Sequence, residues 1–128
     1  MQGFIDKTLK PVLIIGGLGT AAAGLYAFAP QFAVENIAGI EFIQDYTIFV
    51  QHWGFTVSLI GVMMVVAAFK PTWALPVLII VAVEKAFIVY LAVSNINEDF
   101  AAGFRVPAAM DAVIVLYCLL YFWSLREN

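Results

Sequence analysis

Residues 73–94 read WALPVLIIVAVEKAFIVYLAVS, an apolar run interrupted near its centre by Glu84 and Lys85. Coiled as a helix with about 1.5 Å rise per residue, such a run matches the roughly 30 Å hydrocarbon core of a bilayer. Similar runs lie on either side, over residues 11–29, 46–69 and 106–125, so four membrane-spanning helices are predicted. Composition agrees: of 128 residues, 64% are hydrophobic and 12% charged, with a mean hydropathy of +0.99, which sets the chain far from soluble domains. Four spans use nearly all the length. The expected fold class is therefore an all-α integral membrane four-helix bundle, one membrane domain over residues 1–128. Lys7 and Lys10 before the first run, and the small residues of TAAAG within it, have the look of a signal peptide. The run is longer than the usual apolar core of one, so it is expected to be a retained helix.

The turn KPT, residues 70–72, is too short for anything but an antiparallel hairpin between the second and third spans, with Pro71 ending one helix and starting the next. The other two connections, residues 31–45 and 95–104, are longer and mix acids with Phe and Ile, as segments lying in the headgroup layer do. Four antiparallel crossings put both termini and the short turn on one side. Lys7, Lys10, Lys70 and Arg126 fall there; the other side holds Arg105 alone, among Glu35, Glu41, Asp45, Glu98 and Asp99. The excess of Lys and Arg predicts that both termini are cytoplasmic, in a cell's inner (cytoplasmic) membrane, and that the two longer interfacial loops are non-cytoplasmic. Trp73, Tyr121 and Trp123 are expected in the cytoplasmic interface.

The first span carries small residues four apart: Gly16, Thr20 and Gly24 on one line, Gly19, Ala23 and Ala27 on another. Such lines let helix backbones approach closely, either within the chain or, as a Gly/Ala face, in a homodimer or a larger membrane complex. Cys118 has no partner for a disulfide. There is no basic patch for nucleic acid, no phosphate-binding loop and no nucleophile elbow; one His with carboxylates on separate helices and no HxxxH or ExxH spacing gives no metal site. No motif names a cofactor.

What stands out is a layer of ionisable residues inside the spans. Counted from the non-cytoplasmic end, His52, Glu84, Lys85 and Asp111 lie roughly 8 to 16 Å deep, close enough in level for side chains on neighbouring helices to meet. An unpaired charge there costs several kcal/mol, so Lys85 needs an anion. Glu84 points about 100° away from it, and Asp111 is the favoured partner in a structural ion pair. Glu84 is then expected to face His52. Helical spacing groups Glu84 with Asn95 on the third span and His52 with Thr56 on the second. Trp53, Phe87, Tyr90 and Met110 are available as walls. The candidate ligand-binding set is His52, Trp53, Thr56, Glu84, Asn95 and Asp111, with His52 and Glu84 as the candidate catalytic pair. Two readings compete: a hydrogen-bonded clamp that sets helix register, and a proton-active or ligand-binding site.

The stretch YTIFVQHWGF at the entry to the second span, the short Pro turn and the Glu-Lys pair of the third together resemble the central hairpin of small bacterial DoxX-like four-helix membrane proteins. The resemblance covers about a third of the chain and implies a fold, not a substrate. A looser similarity links the polar set to sterol isomerase-like and sterol-binding bundles. The leading expectation is a binding or accessory protein for a small apolar molecule with one polar head, such as a quinone, isoprenoid or lipid. Alternatives are a subunit of a larger membrane complex, an isomerase-like membrane enzyme using Glu84 and His52 for proton transfer, and a proton-coupled transporter.

Overall fold

Pro11 does not begin the first helix. In the computed structural model, which describes residues 1–128, α1 runs Gln2–Ala21 with Pro11 inside it. Proline lacks the N–H that would bond the Lys7 carbonyl, yet the turns before it stay helical because tertiary contacts hold them. Ile5 is buried, and the Thr8 hydroxyl donates to the Phe4 carbonyl at 2.7 Å while lying 2.8 Å from the Tyr117 hydroxyl of the last helix. After a turn at residues 22–23 come the short helices α2, Gly24–Phe28, and α3, Pro30–Ala33. A π-helical turn, Val34–Ala38, ends at Gly39 with φ 70°, a left-handed conformation that only glycine adopts cheaply. The chain then enters α4, Thr47–Phe69, through a 3₁₀ turn, and α5, Ala74–Ser94, through another at Pro71–Trp73. A 3₁₀ segment, Asp99–Phe104, leads into α6, Arg105–Arg126. No residue is in a strand. Four stretches are long and apolar enough to cross a membrane: Gln2–Phe28, Gln44–Phe69, Pro71–Ser94 and Asp99–Arg126. Each begins before the apolar run read from sequence, because the turn ahead of that run is helical too.

Small residues set the helix contacts. Gly17 packs on Gly61 and Val65, Gly24 on Ser58, and Gly54 on Ala23 and Ala27, so α4 lies directly on α1 and α2. Gly16 faces Met64 and Ile114, and Thr20 is buried with its hydroxyl on the Gly16 carbonyl. The line Gly16, Thr20, Gly24 is thus used inside the chain, while Gly19 has open space beside it. Leu13, Met64, Leu78, Val81 and Cys118 form the fully buried centre of the main core. Tyr121 belongs to that core rather than to an interfacial belt; Trp73 and Trp123 are exposed. A second cluster of Tyr26, Ala33, Val34 and Ala38, with Phe104 against it, ties the two long connections together, and Gly103 sits on the Ala38 backbone.

The accessible surface is 8077 Å², against roughly 6,700 Å² for a compact soluble chain of this mass. Much of it is apolar, with Ile15, Phe28 and Ile48 each more than 70% exposed. Hydrocarbon rather than water suits such a surface.

Candidate functional site

Helices α5 and α6 pack side by side, and the ionisable residues meet between them. Lys85 is 2% exposed and is among the largest fully buried side chains in the protein. It lies about 16 Å from one end of α5 and 14 Å from the other, too deep for its ammonium to reach the boundary. Its Nζ donates to Asp111 Oδ1 at 2.8 Å, the distance of a strong charge-assisted bond. Helical geometry explains the choice: the buried face of α5 carries Val77, Leu78, Val81, Lys85 and Ala92, so Lys85 points at its neighbour whereas Glu84 lies to one side.

Glu84 nevertheless bends toward the pair. Its Oε2 comes to 3.9 Å from Lys85 Nζ, too far for a hydrogen bond. That oxygen is buried and has no hydrogen-bond partner, the only such side-chain atom in the protein. Side-chain exposure is 26% for Glu84 and 21% for Asp111, so the cluster has an open flank. Two carboxyl groups and one ammonium therefore share a site at mid-helix depth, with an acceptor that nothing in the chain satisfies and an ammonium that makes one of its three possible bonds. The arrangement suits a small group able to accept from Nζ and donate to Oε2.

The remaining residues expected at the site lie elsewhere. His52 makes neither a hydrogen bond nor an ion pair with Glu84: its side chain is exposed, and only its carbonyl is engaged, by the Thr56 hydroxyl at 2.8 Å. The reason is the register of α4. Gly54 turns toward α2, and His52 and Thr56 lie about 200° round the helix from it. Trp53 packs edge-on against Tyr26, with ring centroids 4.9 Å apart, and neighbouring Gln51 donates to the Ala27 carbonyl at 2.9 Å. Asn95 donates to Leu91 and finishes its own helix. Phe87 and Tyr90 stack at 6.2 Å, and both are exposed, as is Met110. No group of three or more His, Cys, Asp and Glu side chains is close enough to hold a metal ion.

Two ties had no signal in the sequence: the Thr8–Tyr117 hydrogen bond between α1 and α6, and the bond from Arg105 to the Ile96 carbonyl at 2.7 Å. Both join residues whose spacing in the chain carries no motif. Comparison of the chain with protein-family models, with curated proteins and with solved structures finds no match.

Proposed function

We propose that this protein is a membrane-embedded binding or accessory protein that takes a small apolar molecule by its polar head, a hydroxyl set between Glu84 and Lys85. One observation carries the reading: Glu84 Oε2 is buried without a partner, 3.9 Å from an ammonium with bonds to spare. A quinol, isoprenol or other hydroxyl-bearing lipid fits that gap, with the hydroxyl accepting from Nζ and donating to Oε2, and its tail in the surrounding hydrocarbon. An unsatisfied buried acceptor costs about 1–3 kcal/mol, more when charged, and a ligand that satisfies it recovers that energy on binding.

The proposal sets the site in an antiparallel bundle whose termini are cytoplasmic and whose long connections are not. Residue pairs with opposite running order support the antiparallel course: Gly17 of α1 with Gly61 and Gly24 of α2 with Ser58 along α4, and Thr8 of α1 with Tyr117 of α6 and Gln2 with Asn128 just past its end. A helix of a larger complex is the competing occupant, since Glu84 and Asp111 are partly exposed beside the bare faces of Phe87, Tyr90 and Met110.

Purification in mild detergent, followed by mass spectrometry of retained lipids and proteins, tests the reading. Wild type is expected to retain a hydroxyl-bearing apolar molecule, and Glu84→Gln to lose at least ten-fold of it, about 1.4 kcal/mol, while melting at the same temperature. Early melting with full retention would make the cluster a helix clamp. A co-purified polypeptide released by Glu84→Gln would make it an assembly contact.

A further inference from the structure

Arg105 opens α6 and is the one basic residue between Lys85 and Arg126. The protein's two ion pairs both belong to Lys85, so no carboxylate neutralises Arg105. Its Nη2 donates to the Ile96 carbonyl at 2.7 Å, two residues past the end of α5. That bond holds the guanidinium across the top of the seam between α5 and α6 and leaves its other N–H groups without a protein acceptor. Beneath it the seam is open. Val89 and Ala92 of α5 and Ala108, Ala109 and Ala112 of α6 border a groove of about 210 Å³, apolar except for Arg105. From Val89 to Ile96 it descends about 10 Å, along the stripe of α5 that continues to Lys85. Four alanines hold the seam open where longer side chains would fill it.

Arg105 is the groove's one charge, and the connection that leaves Ile96 at its upper end carries the opposite sign. Glu98 and Asp99 follow Ile96 closely in the chain, are exposed, and make no side-chain hydrogen bond or ion pair. A solute that lies in hydrocarbon and at the helix end together is an amphiphile. The charges at its head are then a cation-seeking pair beside an anion-seeking guanidinium.

We infer that this groove binds a zwitterionic aminophospholipid, with one acyl chain along the alanines, its phosphate on Arg105 and its primary ammonium toward Glu98 and Asp99. A net anionic phospholipid satisfies the arginine and is repelled by the two acids. A choline lipid carries the charge but has no N–H to donate. The occupied site covers the seam from the level of Asp111 outward, beginning one turn above Lys85.

Native mass spectrometry of the full chain in detergent, with added phosphatidylethanolamine, phosphatidylglycerol and phosphatidylcholine of identical acyl chains, tests the site. Phosphatidylethanolamine is expected to bind about five-fold more tightly than either competitor, the effect of one charge contact near a membrane surface. Arg105→Gln should weaken it by a similar factor. Glu98→Gln with Asp99→Asn should erase the preference over phosphatidylcholine and raise phosphatidylglycerol binding. Ala109→Leu, at an exposed position that tolerates the larger side chain, should weaken all three lipids equally. Glu84→Gln should change none of these ratios, which separates this site from the one proposed above. Equal binding of the three lipids to wild type, preference for phosphatidylglycerol, or an Ala109→Leu variant that binds like wild type would each overturn the assignment.

Discussion

Lys85 is buried with a single good partner, so its contribution to stability depends on what remains when that partner goes. Removing one member of a buried pair leaves an uncompensated charge and costs about 3–5 kcal/mol; removing both leaves two neutral groups. Lys85→Met and Asp111→Asn are each expected to lower the yield of folded protein in detergent sharply, and the double variant to recover part of the loss. A double variant as poor as the sum of the singles would show that the 2.8 Å contact carries no coupling. His52 makes the opposite case. It is exposed and makes no hydrogen bond or ion pair with Glu84, so His52→Gln is expected to change stability by less than about 0.5 kcal/mol and to leave retention of the apolar molecule as in wild type. Loss of retention in that variant would put the histidine back in the site. At this scale the sequence was legible for the type of residue involved and for the need of Lys85 for an anion. It was not legible for the partner of Glu84, because a helical stripe says which residues share a face and not which way that face turns.

Among the helices, glycines control how near two backbones come. Gly61 packs so closely on Gly17 and Ala21 that a methyl group there must push α1 away from α4. Overpacking of this kind costs about 1–3 kcal/mol. Gly19, on the same helix as Gly17, has nothing within 4 Å, and there Ala gains the usual helix propensity over Gly, about 1 kcal/mol. Gly61→Ala is therefore expected to melt earlier than wild type and Gly19→Ala no earlier, in the same detergent; matching midpoints for the two would contradict the register. The small-residue spacing in the first span announced a close approach. It did not choose between a helix of the same chain and one of another. The contact with α4 uses Gly16, Gly17 and Gly24 internally, and only the packed structure could reveal that.

For the whole molecule, the distribution of basic residues predicts an orientation that surface labelling can read. In a Cys118→Ala background, which removes the buried thiol, Gly3→Cys and Gly39→Cys place reporters at opposite ends, both with open space around them, the second at a cost in local backbone strain because Gly39 is left-handed. An impermeant thiol reagent applied to intact cells is expected to label position 39 and spare position 3. The reverse pattern would invert the topology, and labelling of both would remove one crossing.

Hydropathy and length alone determined that the chain is helical and has four segments able to cross a membrane, since a bilayer leaves few other ways to satisfy the backbone. The ionisable layer was likewise visible in one dimension, because charges inside apolar runs are costly wherever the runs pack. Tertiary structure decided the rest. It extended α1 past Pro11 through the burial of Ile5 and the Thr8–Tyr117 bond, turned His52 away while bringing Asp111 to Lys85, and left Glu84 Oε2 unpartnered. These outcomes rest on helix rotation and register, which are set by contacts between residues far apart in the chain, and no local spacing encodes them.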